Sequence, residues 1–195
     1  MKPIRSFVIA AAVVALALGA GPAAAGDLTR VGTAGAQVLR IPVGPRGTAL
    51  SGSGPADAAG AAAPFWNPAG VTRAEGTEAM FSTMSYLVDS RVSYFAVTRS
   101  LGSAGAVGLA LKTLDLGEIP ITTEAVGGPT GDTYSPKASV VGATYSRTLT
   151  DRASIGLTAN LVNETIRNEG ATGVAFDVGF QYAIASPGIR FGAVM

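Results

Sequence analysis

The chain has neither cysteine nor histidine, and these two absences exclude more chemistry than any motif in it suggests. Without cysteine there is no disulfide, no thiolate nucleophile and no zinc–thiolate site. Without histidine there is no Ser-His-Asp triad, no imidazole metal ligand and no histidine-dependent membrane hydrolase. Catalysis would have to run on carboxylates, lysine, tyrosine or threonine, and no such constellation stands out. Gly52-Ser53-Gly54 lacks the third glycine and the preceding strand of a dinucleotide loop, and no glycine-lysine-serine/threonine phosphate loop occurs. The expectation is a protein that is not an enzyme and takes no cofactor. Charge is also sparse. Once Lys2 and Arg5 are removed with the leader described next, the 14 basic residues fall to 12 against 13 acidic ones, with no long run of either sign. Nucleic acid is therefore not an expected partner.

What the chain does have begins with an export signal. Lys2 and Arg5 form a basic head, Phe7 to Leu18 is a continuous apolar run, and Ala23-Ala24-Ala25 supplies small residues before Gly26. A membrane-spanning helix fails on length, because the run stops at Gly19 and Pro22, short of the ~20 residues a bilayer demands. Cleavage is expected between Ala25 and Gly26. The organisation expected is a signal peptide over 1–25, a periplasmic or plug segment over 26–76, and a partial β-barrel over 77–195.

From Thr77 onward apolar and polar residues alternate with the period of a strand. Candidate strands run Thr77 to Leu87, Val92 to Leu101, Gly105 to Lys112, Lys137 to Leu149, Ala153 to Glu164 and Gly173 to Ile184, with a seventh from Gly188 to Met195. In the third, Val107, Leu109 and Leu111 share the face that begins at Gly105, while Ala106, Gly108, Ala110 and Lys112 share the other. The sixth has the sharpest contrast: Val174, Phe176, Val178, Phe180, Tyr182 and Ile184 alternate with Gly173, Ala175, Asp177, Gly179 and Gln181. Such a strand suits lipid on one side and a watery lumen on the other.

The connections give a second line of evidence. Leu101-Gly102-Ser103, Thr150-Asp151-Arg152 and Ser186-Pro187-Gly188 are tight and occupy alternate links, so they share one rim. Asp89-Ser90-Arg91, the long link from Gly117 to Pro136 and Asn168-Glu169-Gly170 share the other. Short periplasmic turns and longer outer loops are the habit of bacterial barrels. An exported soluble β-sandwich alternates in the same way and stays open as an alternative. Tyr86, Tyr94, Tyr134, Tyr145, Tyr182 and Trp66 are candidates for aromatic girdles. Thr33 to Gly76 differs in kind: rich in glycine, alanine and proline, it cannot be sheet throughout, and a short helix is expected near Thr48 to Ser51.

The stretch from Leu39 to Leu50 (Leu-Arg-Ile-Pro-Val-Gly-Pro-Arg-Gly-Thr-Ala-Leu), the small-residue segment containing Asp57, and Phe65-Trp66-Asn67-Pro68-Ala69-Gly70 resemble the N-terminal signature of PorV/PorQ proteins. The likeness continues through Ser93-Tyr94-Phe95-Ala96-Val97, Gly117-Glu118-Ile119-Pro120 and Asp177-Val178-Gly179. Such proteins are outer-membrane barrels related in architecture to FadL-type transporters of hydrophobic compounds. The resemblance implies an all-β, antiparallel outer-membrane β-barrel. The expectation is about seven strands of a FadL-like barrel of about fourteen, fronted by a Gly/Ala-rich plug. It also implies a non-enzymatic role in protein export or surface presentation of the type IX secretion kind, with outer-membrane lipid and exported proteins or secretion components as partners. A FadL-like channel for hydrophobic small molecules is the alternative, and a soluble exported β-sandwich binding protein a further one.

The candidate site residues follow. Arg46, Trp66, Asn67, Pro68, Ala69 and Gly70 carry the signature and are expected to shape the plug. Lys112, Asn160, Glu164, Asp177 and Gln181 are polar members of otherwise small faces. A lysine at the lipid midplane would cost ~2–4 kcal/mol, so the lumen is where these residues are expected to point.

Overall fold

The computed structural model describes residues 35–195 apart from 53, 124–127, 168 and 185–187. The proposed leader and its cleavage point at Ala25–Gly26 lie outside the described residues. Nine strands are described: β1 (Thr77–Ser85), β2 (Arg91–Ser100), β3 (Ala106–Asp115), β4 (Ile119–Thr123), β5 (Gly128–Tyr134), β6 (Lys137–Thr150), β7 (Ala153–Ile166), β8 (Glu169–Ala183) and β9 (Arg190–Val194). Seven form one curled, half-barrel sheet in the order β1-β2-β3-β6-β7-β8-β9, every neighbouring pair antiparallel. This meander puts the turns at 101–105 and 151–152 on one rim together with the β8–β9 connection. The opposite rim carries the β1–β2, β3–β6 and β7–β8 connections.

The second, two-stranded sheet is the β4–β5 ribbon, which replaces the plain loop expected from Gly117 to Pro136. Pro120, Pro129, Gly128 and Gly131 break the alternation that marks the other strands. A two-stranded ribbon tolerates proline because one side of each strand has no partner to bond, and its register shifts between Pro120 and Thr122. Several boundaries also differ from expectation: β3 runs on to Asp115 and β7 to Ile166. β1 ends at Ser85, because the Tyr86 N–H donates to the Ser90 carbonyl at 2.9 Å and Ser90 Oγ accepts from Leu87 N at 2.9 Å, closing a turn. β8 begins four residues early, at Glu169, and β9 begins at Arg190, not Gly188.

The two faces of the large sheet have opposite characters. Large apolar side chains stand out on the convex face: Phe81 is 70% exposed, Leu109 64% and Phe176 65%, with Phe95, Val141, Leu157, Leu161 and Val174 beside them. The other face carries small and polar residues, with Val92, Tyr94, Leu114, Val140 and Val162 among them toward the long-loop rim, and it is the covered one. Ala96, Thr98, Ala106, Lys112, Thr144, Ser146, Thr158 and Asn160 are all buried there. A soluble sheet hides its more apolar side, because that burial is what drives folding; this sheet covers its more polar side and leaves most of its large apolar side chains uncovered.

The cover is the chain from Ala36 to Ala74, which belongs to the same compact unit as the strands. Its regular elements are short and helical. Residues Gln37–Arg40, Gly60–Ala62 and Pro68–Arg73 are 3₁₀ turns, and Pro45–Ala49 and Ala63–Trp66 are single α-turns. The helix expected near Thr48 starts earlier, at Pro45, where proline's fixed φ suits a first helical position. Three apolar clusters join cover to sheet: Val38 and Ile41 with Val92, Leu114, Val140 and Val162; Ala58, Ala63 and Val71 with Ala106; and Val43 with Tyr94 and Ala96. No described helix is long and apolar enough to cross a membrane, which says nothing of crossing by strands.

Candidate functional site

Asn67 holds the cover to the sheet. It is fully buried, and its side-chain amide donates to the carbonyl oxygens of Pro55 at 2.8 Å, Phe180 at 3.1 Å and Ala193 at 3.4 Å. One side chain therefore ties two strands, β8 and β9, to the covering segment. Its Oδ1 accepts from Ala69 N at 3.1 Å, which makes Asn67 the N-cap of the 3₁₀ turn Pro68–Arg73. Thr72 Oγ donates to the Ala69 carbonyl at 2.8 Å and steadies the same turn. Pro68, Ala69 and Gly70 are buried against β6, β7 and β8.

That close approach requires glycine in the strands. Gly156 on β7 and Gly179 on β8 are register partners. A Cβ on Gly179 would overlap Asn67 Oδ1 and lie 2.8 Å from Pro68 Cδ. One on Gly156 would lie 2.6 Å from Ala69 N and overlap the Pro68 carbonyl. Gly179→Val is therefore expected to lift the Asn-Pro-Ala-Gly turn and destabilise the fold by about 1–3 kcal/mol. Urea titration followed by the fluorescence of Trp66, the sole tryptophan, checks this. Unchanged stability would mean the turn is not seated on the glycines.

Trp66 lies half-buried in the cover, with its indole N–H donating to the Val43 carbonyl at 3.1 Å and its ring edge-on to Phe65 at 5.0 Å. Tyr94 is buried on the covered face. Neither therefore belongs to an aromatic girdle, and the reason is the same for both: the cover packs over them. Tyr145 and Tyr182, by contrast, stand exposed on the convex face.

Beneath the cover a cavity of about 90 Å³ is lined by Phe65, Tyr94, Lys112, Asn160 and Asp177 among others. Lys112 is only 3% exposed. Its ammonium donates to the Ile41 carbonyl and lies 4.4 Å from the Phe65 ring centre, so a backbone oxygen and an aromatic face take the place of a counter-ion. Asn160 Nδ2 donates to Asp177 Oδ2 at 2.6 Å. The Tyr94 hydroxyl, buried, has no partner among the described residues. Gln181 is buried nearer the short-turn rim and donates to the carbonyls of Pro55 at 2.8 Å and Ala58 at 2.9 Å. Glu164 shares the covered face but is half-buried toward the opposite rim, away from this cavity. All five polar candidates thus lie on one face, and three of them line one cavity.

Arg46 is not in that group. It is exposed and paired with Asp57, whose carboxylate also takes Arg190 at 3.0 Å and lies 3.9 Å from Arg73. Arg73 and Arg190 had not been singled out in the sequence, and no local spacing links them to Asp57. Among the described residues no three acidic side chains gather into a potential metal site.

Structurally, these features define a curled antiparallel half-barrel whose polar face is filled by its own N-terminal segment. Compared with family models, curated proteins and solved structures, the chain matches none.

Proposed function

We propose that the chain forms part of a non-enzymatic outer-membrane β-barrel of PorV/PorQ type, acting in export or surface presentation of proteins. The observation that carries the membrane half of this reading is the burial of the large sheet, with most large apolar side chains outward and the face that holds its buried polar residues covered. A sandwich would lay a second sheet over the apolar face, and among the described residues the second sheet is only the β4–β5 ribbon. In this reading residues 36–74 are the plug, and the convex face meets lipid. The sheet edges at β1 and β9 must then be paired, by strands of a longer polypeptide or of a second copy. Each unpaired backbone group in hydrocarbon costs several kcal/mol. The protein-export half rests on the sequence resemblance.

The alternative, passage of hydrophobic small molecules, draws support from a groove of about 660 Å³ at the long-loop rim, lined by Ile41, Leu87, Leu114, Leu116 and Ile119 among others. Disrupting the gene in its host separates the two. Loss of exported proteins from the cell surface with normal acyl-chain uptake supports export; lost uptake with a normal surface supports the channel.

Asp177 distinguishes a structural lumen residue from a transport residue. Asp177→Leu removes the acceptor of a buried amide on Asn160, at a cost of about 1–3 kcal/mol. The expected result is a reduced yield of heat-modifiable barrel in the outer-membrane fraction. Normal yield with lost transport would assign Asp177 to cargo.

A further inference from the structure

Four guanidiniums crowd the short-turn rim of the covered face against two carboxylates. Arg46, Arg73 and Arg190 surround Asp57, and Arg152 follows Asp151 in the β6–β7 turn. Arg73, Arg152 and Arg190 also converge on one pocket of about 270 Å³, whose wall includes Thr148, Thr150 and Ser154. From this arrangement we infer that the pocket is an oxyanion site for a phosphate group, carried on a soluble molecule or on a lipid headgroup.

The donors are held in place and not used up. Arg73 spends Nη1 on the carbonyls of Asp57 at 3.2 Å and Ala58 at 3.4 Å, and Arg190 spends Nη1 on Asp57 Oδ1. A guanidinium has five N–H donors in a planar fork. The Nε and Nη2 donors of both residues have no protein partner among the described residues, and the Arg152 side chain has none either. Thr150 Oγ accepts from Arg152 N at 3.4 Å and Ala153 N at 3.1 Å, which leaves its hydroxyl proton free to donate. Beside the pocket the Asp57 carboxylate is shared by Arg46 and Arg190, and Asp151 is the one carboxylate in the pocket's own wall, against three guanidiniums. Burial first, and then repulsion from Arg190 and Arg46, hold the Arg73 guanidinium below its usual pKa, against the pull of Asp57. A phosphate, with more charge and more acceptor oxygens than a carboxylate, matches several guanidiniums and hydroxyls at once. The site does not depend on what the convex face meets.

The test is calorimetric titration of inorganic phosphate into the folded chain in dodecyl maltoside, a detergent without phosphate, repeated with mixed micelles containing phosphatidylglycerol. Arg152→Gln touches none of the Asp57 ion pairs, so the fold is expected to survive it; Arg73→Gln is the second variant. Arg147→Gln removes the same charge from the opposite face of β6 and serves as the control. Saturable phosphate binding, weakened at least tenfold by Arg152→Gln and Arg73→Gln but not by Arg147→Gln, supports the site with a soluble source. The same arginine dependence seen only with phosphatidylglycerol supports it with a headgroup source. Absence of binding to both probes, or equal weakening by Arg147→Gln, overturns it.

Discussion

Phe176→Arg is expected to cost about 2–4 kcal/mol of folded stability in a bilayer, the penalty for a charged side chain on the lipid face of a barrel near its midplane. Phe176 is 65% exposed on β8, between Val174 and Val178 on the same convex face. If that face met water, an arginine there would be close to neutral, because substitutions at exposed positions away from special contacts usually change stability by under about 0.5 kcal/mol. The two environments thus predict clearly different values for one substitution. Urea-dependent folding into phosphatidylcholine vesicles, read from Trp66 fluorescence, measures it. A near-zero change would remove lipid from the convex face.

Asn67→Leu is the second substitution with a large expected effect. It leaves the carbonyls of Phe180 and Ala193 without the amide that meets them, removes the N-cap of Pro68–Arg73, and places an apolar side chain among buried oxygens. A loss of about 2–3 kcal/mol is expected from the lost amide hydrogen bonds and the cap together, since the two carbonyls, register partners in the β8–β9 ladder, keep their backbone bonds. The loss should be local: residues 36–74 become protease-sensitive and Trp66 emission shifts red, while the strands persist. Asn67→Asp keeps the cap acceptor but presents a carboxylate to three carbonyl oxygens, so it should be at least as damaging. A stable Asn67→Leu variant with unaltered Trp66 emission would show that the cover is held by its apolar clusters alone.

These two residues also show what could and could not be seen in the sequence. The face occupied by Phe176 was legible, because strict alternation along β8 sets its direction once the segment is a strand. Lys112, Asn160, Asp177 and Gln181 were assigned to a common face by the same alternation. Their partners were not legible. The Lys112 ammonium meets the Ile41 carbonyl from 71 positions away, and Asn67 meets Phe180 and Ala193 from 113 and 126 positions away. No periodic signal carries such contacts. Residues 36–74 form single turns too short to hold a helical period, and their path is set by where glycines let the chain approach the strands. Gly179 was placed on the small and polar face of its strand and Gly156 was not singled out, and only the register that pairs them shows that they form one seat. The β4–β5 ribbon escaped for a different reason: proline and glycine hide a strand whose edges need no alternation. The arginines around Asp57 come from three separate parts of the chain, brought together by the curl of the sheet and the cover beneath it.

The central claim is that the convex face meets lipid. Because the chain has no cysteine, a single one can be introduced at will and spin-labelled. The decisive measurement is electron paramagnetic resonance accessibility at Leu157, Leu161, Phe176 and, on the covered face, Thr158, each labelled in protein recovered from the outer-membrane fraction. High accessibility to dissolved oxygen with protection from a water-soluble nickel chelate at Leu157, Leu161 and Phe176, and shielding from both at Thr158, is the predicted result. Free access of the nickel chelate to the three convex positions would contradict it and return the chain to the soluble β-proteins.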